Sequence, residues 1–244
     1  MKCHLRKIPG TPVNYLITFY IWQLPMMNDE HIILLNQDDH AWYWYLFSKD
    51  PLFSQMKEEQ IPSLINQAVE SSAKEAYRII CDYQTNDLEK IYSLMNIKLI
   101  EDTNGSGFGI LYFSMFEPDN TVRIFTEQVE NVKKVISSFF GEDILSPGLV
   151  RPLLLAHELY HVCENRNKQL FTESYRHLLW QFGPISHRSR VIALSEIGAT
   201  AFAKTISEVT FNPSILNYAL LLSSNPQSAK RLYERVIKFS PTIT

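Results

Sequence analysis

Basic runs are missing from this chain. Its 23 Lys and Arg are scattered, 26 Asp and Glu outnumber them, and the net charge is −3. A protein that grips a nucleic-acid backbone by itself usually carries a cationic stripe, so a direct nucleic-acid ligand is not expected. Cysteine is scarce as well: Cys3, Cys81 and Cys163 are far apart and odd in number. That excludes a disulfide framework and a cysteine-type zinc site, and it suits a reducing compartment. Long hydrophobic runs are also lacking. Residues 15–22 follow Lys2, Arg6 and Lys7 and imitate a signal peptide, but the run meets Gln23 and Pro25 and offers no small-x-small cleavage site. It is far too short to span a bilayer. The run reads as a strand, and the protein as soluble and cytoplasmic, with no membrane partner. Glycine is rare, with 8 residues in all. Gly105, Gly107 and Gly109 cluster, but no helix follows them, which makes a hairpin turn rather than a phosphate loop.

What is present is an ordinary globular share of apolar residues, 45% of 244, enough for one good-sized core or a core with a small appendage. Residues 1–55 differ from the rest: "YLITFYIW", "HIILLN" and "AWYWYLF" are short apolar runs between turn formers, read as a β-rich or mixed extension. Its aromatic cluster, Trp42 to Tyr45 with Phe47, reads first as a plug on the main domain and second as a recognition surface. Residues 56–244 form the second unit. Apolar residues recur at helical steps over 57–83, and Asp87 can cap a helix reaching about 95. "NIKLIED", "GFGILYFSMF" and "NTVRIFTE" then read as three strands of an antiparallel meander. A helix over 127–139 follows, and helical patterns continue to the C-terminus. The class is α+β, mostly helical with one small antiparallel sheet.

The motif that carries chemistry is "LLLAHELYHVCENRN", residues 153–167. Random placement yields HExxH only roughly 0.01 times in a chain of this composition. Residues four apart on a helix differ by about 40° in direction, so His157 and His161 project side by side and can share one Zn²⁺. Glu158 lies just around the helix, placed to take a proton from a water held there and not to bind the ion. Pro152 falls early in this helix, where its missing N–H costs least. Cys163 and Glu164 read as bystanders.

A durable site needs a third protein ligand, with the fourth position open. The continuation HExxHxxGxxH fails, because Glu164 and Asn167 replace its glycine and third histidine. Downstream stand Glu173, His177, His187 and Glu196. Glu196 has the best setting, since Ala193, Ala199, Thr200 and Ala203 give its helix a small face for close approach. Glu173 is the alternative. His177 and His187 are candidates for donors to a developing oxyanion.

At this point the sequence resembles the ImmA/IrrE family of zinc metallopeptidases. "AHELYH" is similar to that family's AHELGH, "EIGATAFA" fits its E-x-x-A-x-x-F-A signature, and the order of parts agrees over about residues 57–210. The resemblance implies a metallopeptidase core in which His157, His161 and Glu196 bind zinc and Glu158 is the catalytic base. It implies a protein substrate, often a repressor or other transcriptional regulator. Tyr160 departs from the pattern by standing where the family has glycine. The interval from His161 to Glu196 is long for the family, which implies an extra helix across "KQLFTESYRHLLWQF", and "KTISEVTF" replaces an apolar run ended by proline. The expected reaction is hydrolysis of a peptide bond, with the substrate extended along "TVRIFT" as a sheet edge. The rival expectation is a regulatory module that contains zinc and binds protein without cutting it.

Overall fold

The computed structural model describes residues 30–103, 106–107, 110–140 and 145–240. The strand expected at 15–22 lies outside these residues. From Glu30 the chain is helical where strands were expected: α1 spans Glu30–Leu35 and α2 spans Asp39–Phe47. Asp38 caps α2 by accepting from the His40 N–H at 2.8 Å. The reason for the difference lies in burial. Trp42 and Phe47 are fully buried, and Tyr43, Trp44 and Tyr45 nearly so. A helix buried on nearly all sides carries no polar stripe to betray its period. The aromatic cluster is thus a plug. Trp42 joins Leu34 and Tyr45 in one core, while Trp44 and Phe47 pack in a second.

Helix α3 (Ile61–Tyr83) buries the stripe Ile61, Leu64, Ile65, Ala68, Ser72, Ala76 and Ile79, and α4 (Leu88–Leu94) is capped by the Asp87 side chain. The strands are β1 (Lys98–Asp102), a short hairpin of β2 (Ser106–Gly107) with β3 (Ile110–Leu111), β4 (Ser114–Glu117) and β5 (Thr121–Phe125). They do not make the expected meander. The main sheet has the order β1-β5-β4, with β4 antiparallel to β5 but β1 parallel to it. The apolar run "GFGILYFSMF" is broken by the small hairpin, which puts β5 in the centre. Consequently "TVRIFT" is no edge, and among the described residues β4 takes an edge position.

Helix α5 (Thr126–Phe139) follows β5 directly, and α6 (Val150–Arg166) carries the histidines. Pro152 is the third residue of α6, among the N–H groups that have no partner inside a helix. At the other end Arg166 Nη2 donates to the Met95 carbonyl at 2.8 Å and to Asn120 Oδ1 at 2.7 Å. That cation favours the helix C-terminus and ties α6 to the turn before β5. The expected helix over 168–182 is instead one turn, α7 (Phe171–Ser174), and then a hairpin of β6 (His177–Phe182) and β7 (Ile185–Ser189). Its two-residue turn, Gly183 with φ +57° and then Pro184, supplies the positive φ that a tight hairpin requires.

Helix α8 (Ile192–Ile206) is the centre of the fold, with eleven of its 15 residues buried. It packs on α3 and on α6. Helices α9 (Ile215–Ser224) and α10 (Pro226–Ile237) close the far side. Among the described residues no helix is long and apolar enough to cross a membrane. The class is α+β, dominated by helix.

Candidate metal centre

Helical spacing brings His157 Nε2 and His161 Nε2 to 3.3 Å. From α8, Glu196 offers Oε2 at 3.5 Å from His157 Nε2 and Oε1 at 3.8 Å from His161 Nε2. Ligand atoms on a tetrahedral zinc with bonds of ~2.0–2.1 Å stand ~3.3–3.4 Å apart. The two short Glu196 contacts end on different oxygens. With one oxygen chosen, the three ligand atoms lie within 4.8 Å of one another, a spread that can close on such an ion, and nitrogen and carboxylate donors suit zinc. Glu173 is not brought to this cluster. It pairs instead with Arg190 at 2.8 Å and Lys168 at 3.3 Å.

Close approach of α8 to α6 depends on Gly198. A Cβ there would come within 2.7 Å of both Tyr160 Cε1 and Ser72 Oγ. Tyr160 is fully buried and lines no part of the cleft; its ring is tilted at 45° to that of Phe202, with centroids 5.5 Å apart. The Tyr160 ring thus occupies the space that Gly198 leaves open on the facing helix.

Glu164 is no bystander. Its side chain is only 5% exposed, and Oε2 faces His161 Nδ1 at 3.1 Å. Ser195 Oγ donates to Oε2, and Thr172 Oγ1 donates to Oε1, each at 2.5 Å. Because Thr172 spends its proton on Glu164, the Tyr160 hydroxyl donates to Thr172 Oγ1 at 2.7 Å. Ser72 lies 2.8 Å further along this hydroxyl chain. A carboxylate that accepts the Nδ1 proton of His161 fixes the tautomer whose Nε2 lone pair faces the cluster. The signal for this role was the three-residue step from His161 to Glu164 along one helix face.

The charges interlock. Burial would lower the His161 pKa, but the Glu164 hydrogen bond and the charges of Glu196, Glu158 and Glu164 outweigh it and raise it to about 9. Burial would raise Glu196, yet the hydrogen bond and charge of His157, with His161 and Lys49 beyond, bring it down to about 2. Its side chain is 48% exposed, so solvent screens part of that attraction. Glu164 is likewise lowered against burial, by His161, Ser195 and Thr172. Cys163, by contrast, is buried and its thiol is pushed up, which leaves it inert.

Glu158 is buried beneath a cleft of about 940 Å³ that His157, His161 and Glu196 also line. Ser114 Oγ on β4 donates to Glu158 Oε1 at 2.7 Å, a contact between distant segments that no spacing announces. A second cavity of about 590 Å³ shares Leu46, Ile192, Glu196, Asn217 and Leu220 with the first, so Glu196 stands on the wall between two cavities. His177 and His187 line neither cavity; they sit on the hairpin, where His187 meets Trp180. In comparisons with known proteins, no family model, curated protein or solved structure matches the chain.

Proposed function

We propose that this chain is a zinc-dependent metallopeptidase that hydrolyses a peptide bond within a protein substrate. The observation that carries the reading is the convergence of one donor atom each from His157, His161 and Glu196, all within 4.8 Å of one another in an open cleft. A zinc ion held by those residues supplies Lewis acidity, polarising a carbonyl and making a water acidic near neutral pH.

Glu158 supplies the base. Its Oε1 is engaged by Ser114, which leaves Oε2 to accept the proton of the attacking water and return it to the leaving amine. Glu164 holds His161 in register throughout. Strand β4 is the sheet edge beside the cleft, through Ser114, Met115 and Phe116, and an extended substrate can add to it by main-chain hydrogen bonds. The resemblance to ImmA/IrrE peptidases adds the substrate class, a transcriptional regulator or repressor.

The test is cleavage of a random-sequence quenched-fluorescent peptide library by zinc-loaded wild type, with and without chelator, beside Glu158→Gln. The reading expects cleavage that chelator and Glu158→Gln both abolish. A zinc-loaded wild type that leaves the library uncut, or a Glu158→Gln that cuts it equally well, contradicts it.

A further inference from the structure

We infer that the β6–β7 hairpin is a docking arm for the protein substrate, taking an extended segment in which acidic side chains lie beside apolar ones. This rests on the peptidase reading above. Every residue from Trp180 to Arg188 is exposed. Trp180 is 52% exposed, Phe182 82% and Ile185 61%, an apolar display that water does not favour. The register pairs Trp180 with His187 and Phe182 with Ile185, so all four share one face. A two-stranded hairpin alone in water is marginal, and among the described residues neither outer edge of this one is paired. The arm has the apolar anchors and the free strand edge that strand addition uses.

Charge identifies the occupant. No Asp or Glu occurs between Glu173 and Glu196, although the whole chain carries −3. Arg176 donates to the carbonyls of Glu173 and Tyr175, and Arg188 to that of Arg176. Among the described residues neither guanidinium has a carboxylate partner, so both remain available to an acidic segment. A second copy would bring a like-charged arm against this one in a two-fold contact. The arm also leads directly into the site: Ser189, Arg190 and Ile192, which follow it, line the cleft. A segment laid along β7 is therefore delivered to the candidate metal centre, and the arm belongs to whatever enters it.

The test uses full-length, zinc-loaded Glu158→Gln protein, so that binding is read without hydrolysis. The probes are two fluorescein-labelled eleven-residue peptides, one alternating Glu with Val and one alternating Lys with Val, followed by anisotropy. The Glu/Val peptide should bind, more weakly as salt rises, and the Lys/Val peptide at least tenfold less tightly. Adding Phe182→Ser and Ile185→Ser, both at exposed positions, should weaken Glu/Val binding at least tenfold. No binding, equal binding of the two peptides, or binding indifferent to those substitutions overturns the inference. So does arm-dependent self-association in sedimentation, or arm-dependent capture by phosphatidylserine vesicles without peptide binding. An uncut peptide library contradicts the peptidase reading separately, since this binding assay requires no cleavage.

Discussion

Replacing Glu164 by Gln tests whether the metal centre is held from behind. The substitution keeps shape and volume but removes the charge that His161 Nδ1 faces at 3.1 Å. It also gives one terminal atom two N–H donors where the carboxylate only accepted. Ser195 and Thr172 can each rotate a hydroxyl, but only one oxygen remains to accept, so the Nδ1 contact is weakened or lost. Partners that orient a ligating histidine are worth about 10–100-fold in metal affinity, or about 1.4–2.7 kcal/mol. The burial of Glu164, 5% exposed at the side chain, argues for the upper part of that range. The assay is competition for zinc against a chromophoric chelator, with circular dichroism as the check that Glu164→Gln remains folded. A folded Glu164→Gln that binds zinc as tightly as wild type would refute the argument. Glu164→Ala should go further and lower the melting temperature, because it strands two buried hydroxyls.

Zinc uptake should displace the proton that Glu164 and Glu196 help to hold on His161, whose pKa stands near 9 without metal. Apparent zinc affinity should then rise about tenfold per pH unit up to about pH 9 and flatten above it; a flat profile between pH 7 and 9 in chelator competition contradicts this. For the metal-free protein the sign is opposite. A histidine pKa raised on folding stabilises fully below about 6.5, and that contribution fades as pH climbs through about 9, which melting curves can follow. Gly198→Ala should cost about 1–3 kcal/mol in denaturant unfolding by overpacking Tyr160, and less when introduced beside Tyr160→Ala. Equal costs in both backgrounds would deny that the two positions compensate. Glu158→Gln should keep zinc and lose about 10²–10⁴-fold in kcat, measured on any peptide the wild type cuts.

The parts of the site legible in the sequence were those fixed by local geometry. His157 and His161 are joined by the helical repeat itself, and Glu196 was singled out by the small residues around it on α8. The step from His161 to Glu164 is visible in the sequence, but not the burial and the Ser195 and Thr172 hydroxyls that hold the carboxylate there, which only the tertiary fold brings near. Ser114 was missed for the same reason, since β4 and α6 meet across distant sequence. Helix α2 reads as a strand because burial on nearly all sides erases the polar half of a helical pattern, although Asp38 is a visible cap, and α1 because its exposed face carries Ile32 and Ile33 instead of polar residues. Parallel pairing of β1 with β5 depends on a crossover that no run of residues displays. The β6–β7 hairpin did leave a sign, the two-residue Gly183-Pro184 turn, but its exposed apolar residues imitated the core face of a helix.

Zinc per chain, measured by plasma mass spectrometry on wild type, Glu196→Ala and Glu173→Ala, tests the central claim most directly. The account predicts one equivalent in wild type, one in Glu173→Ala, and none retained through desalting in Glu196→Ala. Zinc kept by Glu196→Ala and lost from Glu173→Ala, or absent from wild type purified with zinc present, would contradict it.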